Sequence, residues 1–210
     1  MLEFTYKGAN AVIVSTKKAK IVADPNLAAL GLKNLDVDGV VQIATENRFA
    51  ITSDKAKLTI DSPGEYEVAD FTIKGIAAQR SIDNDTESNG TMYRLEANDI
   101  SVGVIGNIAP KLSEDQQEDL GVLDVLIIPI GGGGYTLDAV NAATIVRQVE
   151  PKVVIPIHYA DSGIKYEVPQ DALDLFTTEL SAPVEHVDSL KLKSASTLPA
   201  SLTTIVLARS

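Results

Sequence analysis

The 210-residue chain has just two imidazoles, His158 and His186, and no cysteine, so few groups could carry nucleophilic, acid–base or thiolate chemistry. His158 closes the apolar run VVIPIH. A lone imidazole at a strand end could act as a general base or grip an anion, given a carboxylate such as Asp24 or Glu65 to orient it. The plainer expectation is a histidine hydrogen-bonded at a pocket rim. His186, in APVEHVDSL, reads as a surface residue. No GxSxG elbow occurs, so a serine hydrolase has no support. Gly131 to Gly134 precede a helix start but lack the Lys and Ser/Thr of a phosphate-binding loop, and they read as a tight turn with positive φ. The loop ends at Tyr135 and Thr136, which could flank a pocket.

These residues must be positioned by two kinds of chain. Short β-rich runs fill the first half: Leu2 to Tyr6, Ala11 to Ser15, Ile21 to Ala23, Val40 to Ala44, Leu58 to Ile60 and Tyr66 to Ile76. Leu27 to Leu32 alone looks helical there. The polar stretch Ser81 to Gly90 reads as a mobile connection before the strand pair Met92 to Glu96 and Ile100 to Ile105. In the second half, Val122 to Ile130 and Lys152 to Ile157 are near-continuous apolar runs, as in strands buried on both faces. Ala142, Ile145, Val146 and Val149 between them form a helical stripe after an N-cap at Thr136, which predicts a βαβ unit. Smaller helices are expected from Ser113, where Gln116 completes a capping box and Gly121 a stop, and near Gln170. Ser189 to Lys193 and Leu202 to Ala208 return to strand character.

Eighteen basic against twenty-nine acidic residues give a net charge of -11, which disfavours nucleic acid and anionic membranes as partners. Lys17, Lys18 and Lys20 fit a solvated hairpin tip. The start MLEFTYKGANAVIV lacks a signal-peptide pattern and no run approaches the length of a membrane span, so a cytoplasmic location is expected.

IVADP at Ile21 to Pro25, SPGEYEV at Ser62 to Val68, DVLIIPIGG at Asp124 to Gly132 and PKVVIPIHY at Pro151 to Tyr159 together resemble the metal-dependent hydrolases of the metallo-β-lactamase superfamily, in the branch of the ascorbate-6-phosphate lactonases. The resemblance implies an α/β fold, the four-layer αββα sandwich, as one domain over residues 1–210 with half-domains of roughly 1–97 and 98–210.

Such relatives hold zinc or manganese with an HxHxDH motif, a further His, an Asp and a last His, which activate a water. By register from Asp38, the motif positions here are Ala44, Glu46, Arg48 and Phe49. Arg80 stands where the family has the further His, Asn107 where it has the Asp, and Ala9 where it has an early His. His158 alone matches. The resemblance thus implies a lost dinuclear metal site, with no cofactor expected and a non-catalytic binding or scaffold role. The alternative is a lactonase- or phosphodiesterase-type metallo-hydrolase with an altered site around His158. The expected former metal site comprises Asp24, Ala44, Glu46, Arg48, Phe49, Arg80, Asn107 and His158. Arg48 and Arg80 would either replace the metal charge by pairing with Glu46 and Asp24 or simply point to solvent. A small anionic ligand and a homo-oligomer formed through sheet edges are the expected partners.

Overall fold

The computed structural model describes residues 1–84 and 87–210. Its frame is two facing sheets. One has six strands: β1 (Leu2–Gly8), β2 (Ala11–Ser15), β3 (Lys20–Ala23), β4 (Val41–Ile43), β5 (Leu58–Ile60) and, far along the chain, β13 (Leu190–Leu192), in the order β13-β1-β2-β3-β4-β5. The other has eight: β6 (Gly64–Val68), β7 (Phe71–Ala78), β8 (Gly90–Ala97), β9 (Ile100–Val104), β10 (Val125–Pro129), β11 (Val153–Ile157), β12 (Val184–Val187) and β14 (Thr203–Leu207), in the order β12-β14-β11-β10-β9-β8-β7-β6. The turn after Ala97, where the two halves of the chain meet, lies inside this continuous second sheet.

Alternation decides which faces meet. Leu2, Phe4 and Tyr6 of β1 and Val12 and Val14 of β2 point inward and join Ile73, Tyr93, Leu95, Val125, Ile127, Val153 and Ile155 in a core between the sheets. The strands β10 and β11 are buried on both faces, so Leu126, Ile128 and Val154 serve a second core. That core is closed by α1 (Glu114–Leu120), α2 (Ala139–Val149) and α3 (Leu173–Leu180), whose Leu120, Ala142, Ile145, Val146, Phe176 and Leu180 pack on the eight-stranded sheet. Within the six-stranded sheet, buried Gln42 of β4 is tied to Thr59 of the neighbouring β5 and to the backbone of Ile51 in the segment between them.

The unit β10-α2-β11 is the expected βαβ crossover, with Val125 paired to Val153 in a parallel register. The Ser113–Gln116 capping box at α1 is also present. Four expectations shift. The run Tyr66 to Ile76 is a hairpin, because Ala69 turns the chain with φ 58° between β6 and β7. The N-cap of α2 is Asp138, whose carboxylate accepts from Asn141 N, while Thr136 lies two residues earlier, at the end of the glycine loop. Leu27 to Leu32 makes only a 3₁₀ turn at Ala28–Leu30. The edge strand β12 is an addition, since its exposed VEHV carries no burial pattern to read.

Asp83, within the polar stretch 81–90, is pinned by Arg80 and Asn89, whereas residues 85 and 86 lie outside the described residues. No helix among the described residues is long and apolar enough to cross a membrane.

Candidate functional site

The strands β3, β4 and β5 run parallel in one sheet, and β9, β10 and β11 run parallel in the other. Their carboxyl ends, where side chains and loops are freest to form a crevice, carry the site. Asp24 follows β3, Ala44 to Glu46 follow β4, Asn107 follows β9, the glycine loop follows β10 and His158 follows β11. The β1–β2 turn adds Ala9 and Asn10, and the end of β7 adds Arg80. Ala9, Asp24 and His158 all sit at positive φ (48°, 48° and 52°), a conformation that non-glycine residues adopt at a cost and that concentrates at functional positions.

Glu46 is the centre of a charged network. Its side chain is 2% exposed, and it accepts from Arg48 Nε (3.0 Å) and Arg48 Nη2 (3.3 Å), from Arg80 Nη1 (2.8 Å) and from Asn107 Nδ2 (2.9 Å). Arg80 continues to Asp83 at 2.6 Å. Burial opposes the charge of Asp83, but the hydrogen bonds from Arg80 and Asn89 win and hold its carboxyl well below the usual range.

Both arginines grip Glu46, Arg48 with a third of its side chain still exposed and Arg80 with less. Asp24 differs from expectation. It is paired with no arginine, since its two oxygens accept from Thr45 N (2.7 Å) and Thr45 Oγ1 (2.6 Å). Burial pushes Asp24 up to about 7, against the pull of those two bonds. Ala44 is a backbone participant, its carbonyl receiving the buried Tyr93 hydroxyl at 2.8 Å. Phe49 lies under Arg48, whose guanidinium carbon is 4.5 Å from its ring centroid and 4.9 Å from that of Tyr135.

His158 is 5% exposed and is oriented by neither Asp24 nor Glu65: its Nδ1 meets Asn10 Oδ1 at 2.7 Å. Asn10 Nδ2 in turn donates to Asn107 Oδ1 at 3.2 Å. One chain of hydrogen bonds thus links His158, Asn10, Asn107, Glu46 and the two arginines. Burial, helped by the nearby Arg48 charge, lowers His158 to about 3, so the ring is neutral at physiological pH. Beside it opens a cavity of about 130 Å³, lined mostly by apolar surface from Leu27, Leu30, Phe49, Tyr135 and Tyr166, with Arg48 and His158 among its polar groups. The Tyr166 ring lies 5.0 Å from the imidazole.

Gly132, Gly133 and Gly134 have φ of 67°, 70° and 74°, as a tight turn requires. Gly131 is needed for another reason: any Cβ there would run into the carbonyl of His158. Asn10, Thr45 and Tyr166 escape the sequence reading. A turn asparagine, a threonine after a strand and an aromatic in a loop look ordinary until the fold brings them together. His186 lies exposed on β12.

These side chains do not fit a dinuclear metal centre. The oxygens of Glu46 are taken by guanidinium and amide donors, those of Asp24 by Thr45, and no group of three His, Cys, Asp or Glu side chains suited to a metal ion occurs among the described residues.

A family model described as "Beta-lactamase superfamily domain" matches residues 3–158. A curated relative from Aeropyrum pernix, described as a UPF0173 metal-dependent hydrolase, is 28% identical over 213 residues, spanning 81% of this chain and 88% of the relative. Among solved structures, a candidate Zn-dependent hydrolase of the metallo-β-lactamase superfamily from Thermotoga maritima superposes with a TM-score of 0.78 at 23% identity, over 99% of both chains. The diiron β-hydroxylase CmlA from Streptomyces venezuelae superposes with a TM-score of 0.59 at 14% identity, over 86% of this chain and 50% of that one. These comparisons bear out the α/β sandwich of the metallo-β-lactamase fold, here with its three α-helices all packed on the eight-stranded sheet. They also correct the expectation that no cofactor is involved: the relatives are metal-dependent hydrolases and, in one case, a diiron enzyme by description. Counting missing histidines along one chain does not establish that a metal has been lost, because it tests only the positions that the family motif names.

Proposed function

The chain belongs to the β-lactamase superfamily and has the metallo-β-lactamase fold, and on that premise we propose that it works as a binding member of the superfamily, holding a ligand in the cavity beside His158 instead of hydrolysing one. The observation that carries this reading is the state of Glu46. The resemblance aligns it with a metal-ligand position of the family motif, and all its hydrogen-bonding capacity is spent on Arg48, Arg80 and Asn107. A hydrolytic site needs an activated water with a base to receive its proton, and Glu46 in this network is committed to neutralising two cations. The cavity, by contrast, is formed and lined for contact.

The test is turnover of lactone and phosphodiester substrates by the purified full chain, with zinc or manganese supplied. The expected result is no turnover above the rate without protein. Turnover that a chelator abolishes, and that His158→Asn also removes, would establish the second reading, a metallo-hydrolase with an altered site around His158. That reading is favoured by one observation: His158 is buried and neutral, and its Nε2 has no hydrogen-bond partner among the described residues.

A further inference from the structure

The hydrogen bonds of the site have a direction, and it can be followed from one end. A carboxylate only accepts, so Asn107 turns its amide nitrogen toward Glu46 Oε1. Asn107 Oδ1 must then accept, and it does so from Asn10 Nδ2. That leaves Asn10 Oδ1 facing His158 Nδ1 at 2.7 Å, a contact that is a hydrogen bond only if Nδ1 carries the proton. The neutral ring is therefore the Nδ1–H tautomer. Its Nε2 is a bare acceptor at the cavity, with no partner among the described residues.

The rest of the lining sets what could satisfy it. Arg48 reaches the cavity, but Glu46 at 3.0 Å and Glu167 at 3.4 Å already counter its charge. The pocket consequently offers an anion no free positive charge, and a deprotonated oxygen would bring Nε2 a second lone pair in place of a hydrogen. A cation finds no unpaired carboxylate among the described lining residues either, although Asp24 and Glu167 line the cavity, because Glu167 is paired with Arg48 and both oxygens of Asp24 accept from Thr45. Phe49, Tyr135 and Tyr166 contribute apolar lining together with Leu27 and Leu30, and about 130 Å³ is on the order of the volume that takes one benzene-sized ring.

Resting on the binding reading above, we propose that the cavity takes a neutral, single-ring ligand carrying one hydrogen-bond donor, a phenol or an N–H heterocycle, which sits against the apolar lining of Leu27, Leu30, Phe49, Tyr135 and Tyr166 and donates to His158 Nε2. This differs from the anion that two arginines in a sequence suggest, because the structure spends both arginines on carboxylates.

The probes are phenol, benzoate, toluene, inorganic phosphate and zinc ion, titrated into the wild-type chain while the His158 ring is followed by NMR. Phenol should bind saturably and perturb His158, at least about tenfold more tightly than benzoate or toluene, the factor expected of one added hydrogen bond of about 1.4 kcal/mol. In His158→Asn, phenol should lose that advantage over toluene. The ranking on the wild-type chain stands even if the variant fails to fold. Tighter binding of benzoate or phosphate would overturn the neutral-ligand inference and leave the binding reading intact. Tighter binding of zinc at His158 would overturn it in favour of a metal ligand. No saturable shift with any ring compound would also overturn it. Failure of the binding reading shows up separately, as turnover.

Discussion

The two ends of one hydrogen-bond chain behave in opposite ways. At the Glu46 end every acceptor position is taken, by two guanidinium groups and an amide, and Arg80 is held further by Asp83. At the His158 end the chain stops on an unpaired nitrogen beside an apolar cavity. Both ends are buried and both sit at strand termini of the same crevice. The difference teaches that a buried charged cluster can spend itself entirely on its own members, while the unsatisfied hydrogen-bonding capacity lies in the least charged part of the crevice. A buried ion network is evidence of mutual neutralisation before it is evidence of chemistry.

Removing one member of the saturated end should have the largest effect. Arg80→Ala leaves Glu46 and Asp83 short of their shared cation, and denaturant unfolding should show a loss of about 3–5 kcal/mol, the range for breaking a buried pair. Arg48 is more exposed, with 36% of its side chain accessible, so Arg48→Ala should cost less, about 1 kcal/mol. Equal and negligible losses in both would mean that the network contributes nothing to stability.

The next effect separates Asp24 from His158 by pH. Asp24 is raised to about 7 in the fold, so it destabilises the protein progressively as pH rises from about 4 to 7. His158 is depressed to about 3, so its contribution is present above about pH 6.5 and is lost as pH falls toward 3. The two slopes oppose each other between about pH 4 and 6.5. Asp24→Asn should therefore lose stability on acidification more steeply than wild type, and His158→Asn should gain stability over the same window. Asparagine is chosen at 158 because it tolerates the positive φ. Thermal unfolding at pH 7.5 and 5 reads both, and parallel slopes in the two variants would contradict the assignment.

A smaller effect probes the wall between the glycine loop and His158. Gly131→Ala should cost about 1–3 kcal/mol by overpacking against the His158 carbonyl and Gln170, whereas Gly134→Ala has room around it and pays only for its φ of 74°. The reverse order of cost would show that the loop does not press on His158.

Much of this frame is legible in the chain. The doubly apolar runs of β10 and β11, the helical stripe of α2 and the capping box of α1 follow from periodicity and local hydrogen bonding. The family resemblance adds the sandwich and places Glu46, Arg48, Arg80, Asn107 and His158 together. It does not give partners. Asp24 takes Thr45 instead of an arginine because Thr45 is brought beside it by the parallel β3–β4 register, a tertiary fact. Asn10, 148 residues from His158, enters only because β1 and β2 turn beneath the end of β11. The cofactor expectation fails for a related reason, since a count of named positions says nothing about donors brought from elsewhere.

Which nitrogen of His158 carries the proton fixes the direction of the whole hydrogen-bond chain, and ¹⁵N NMR of the imidazole rings reads it directly. Two histidines make assignment simple, with His186→Gln identifying the second set of signals. A neutral Nδ1–H ring whose Nε2 stays unprotonated from pH 8 down to about 4, and whose Nε2 resonance moves when phenol is added, is the predicted result. An Nε2–H tautomer, or a ring that becomes doubly protonated near pH 6.5, would reverse the direction of the hydrogen-bond chain and contradict the account.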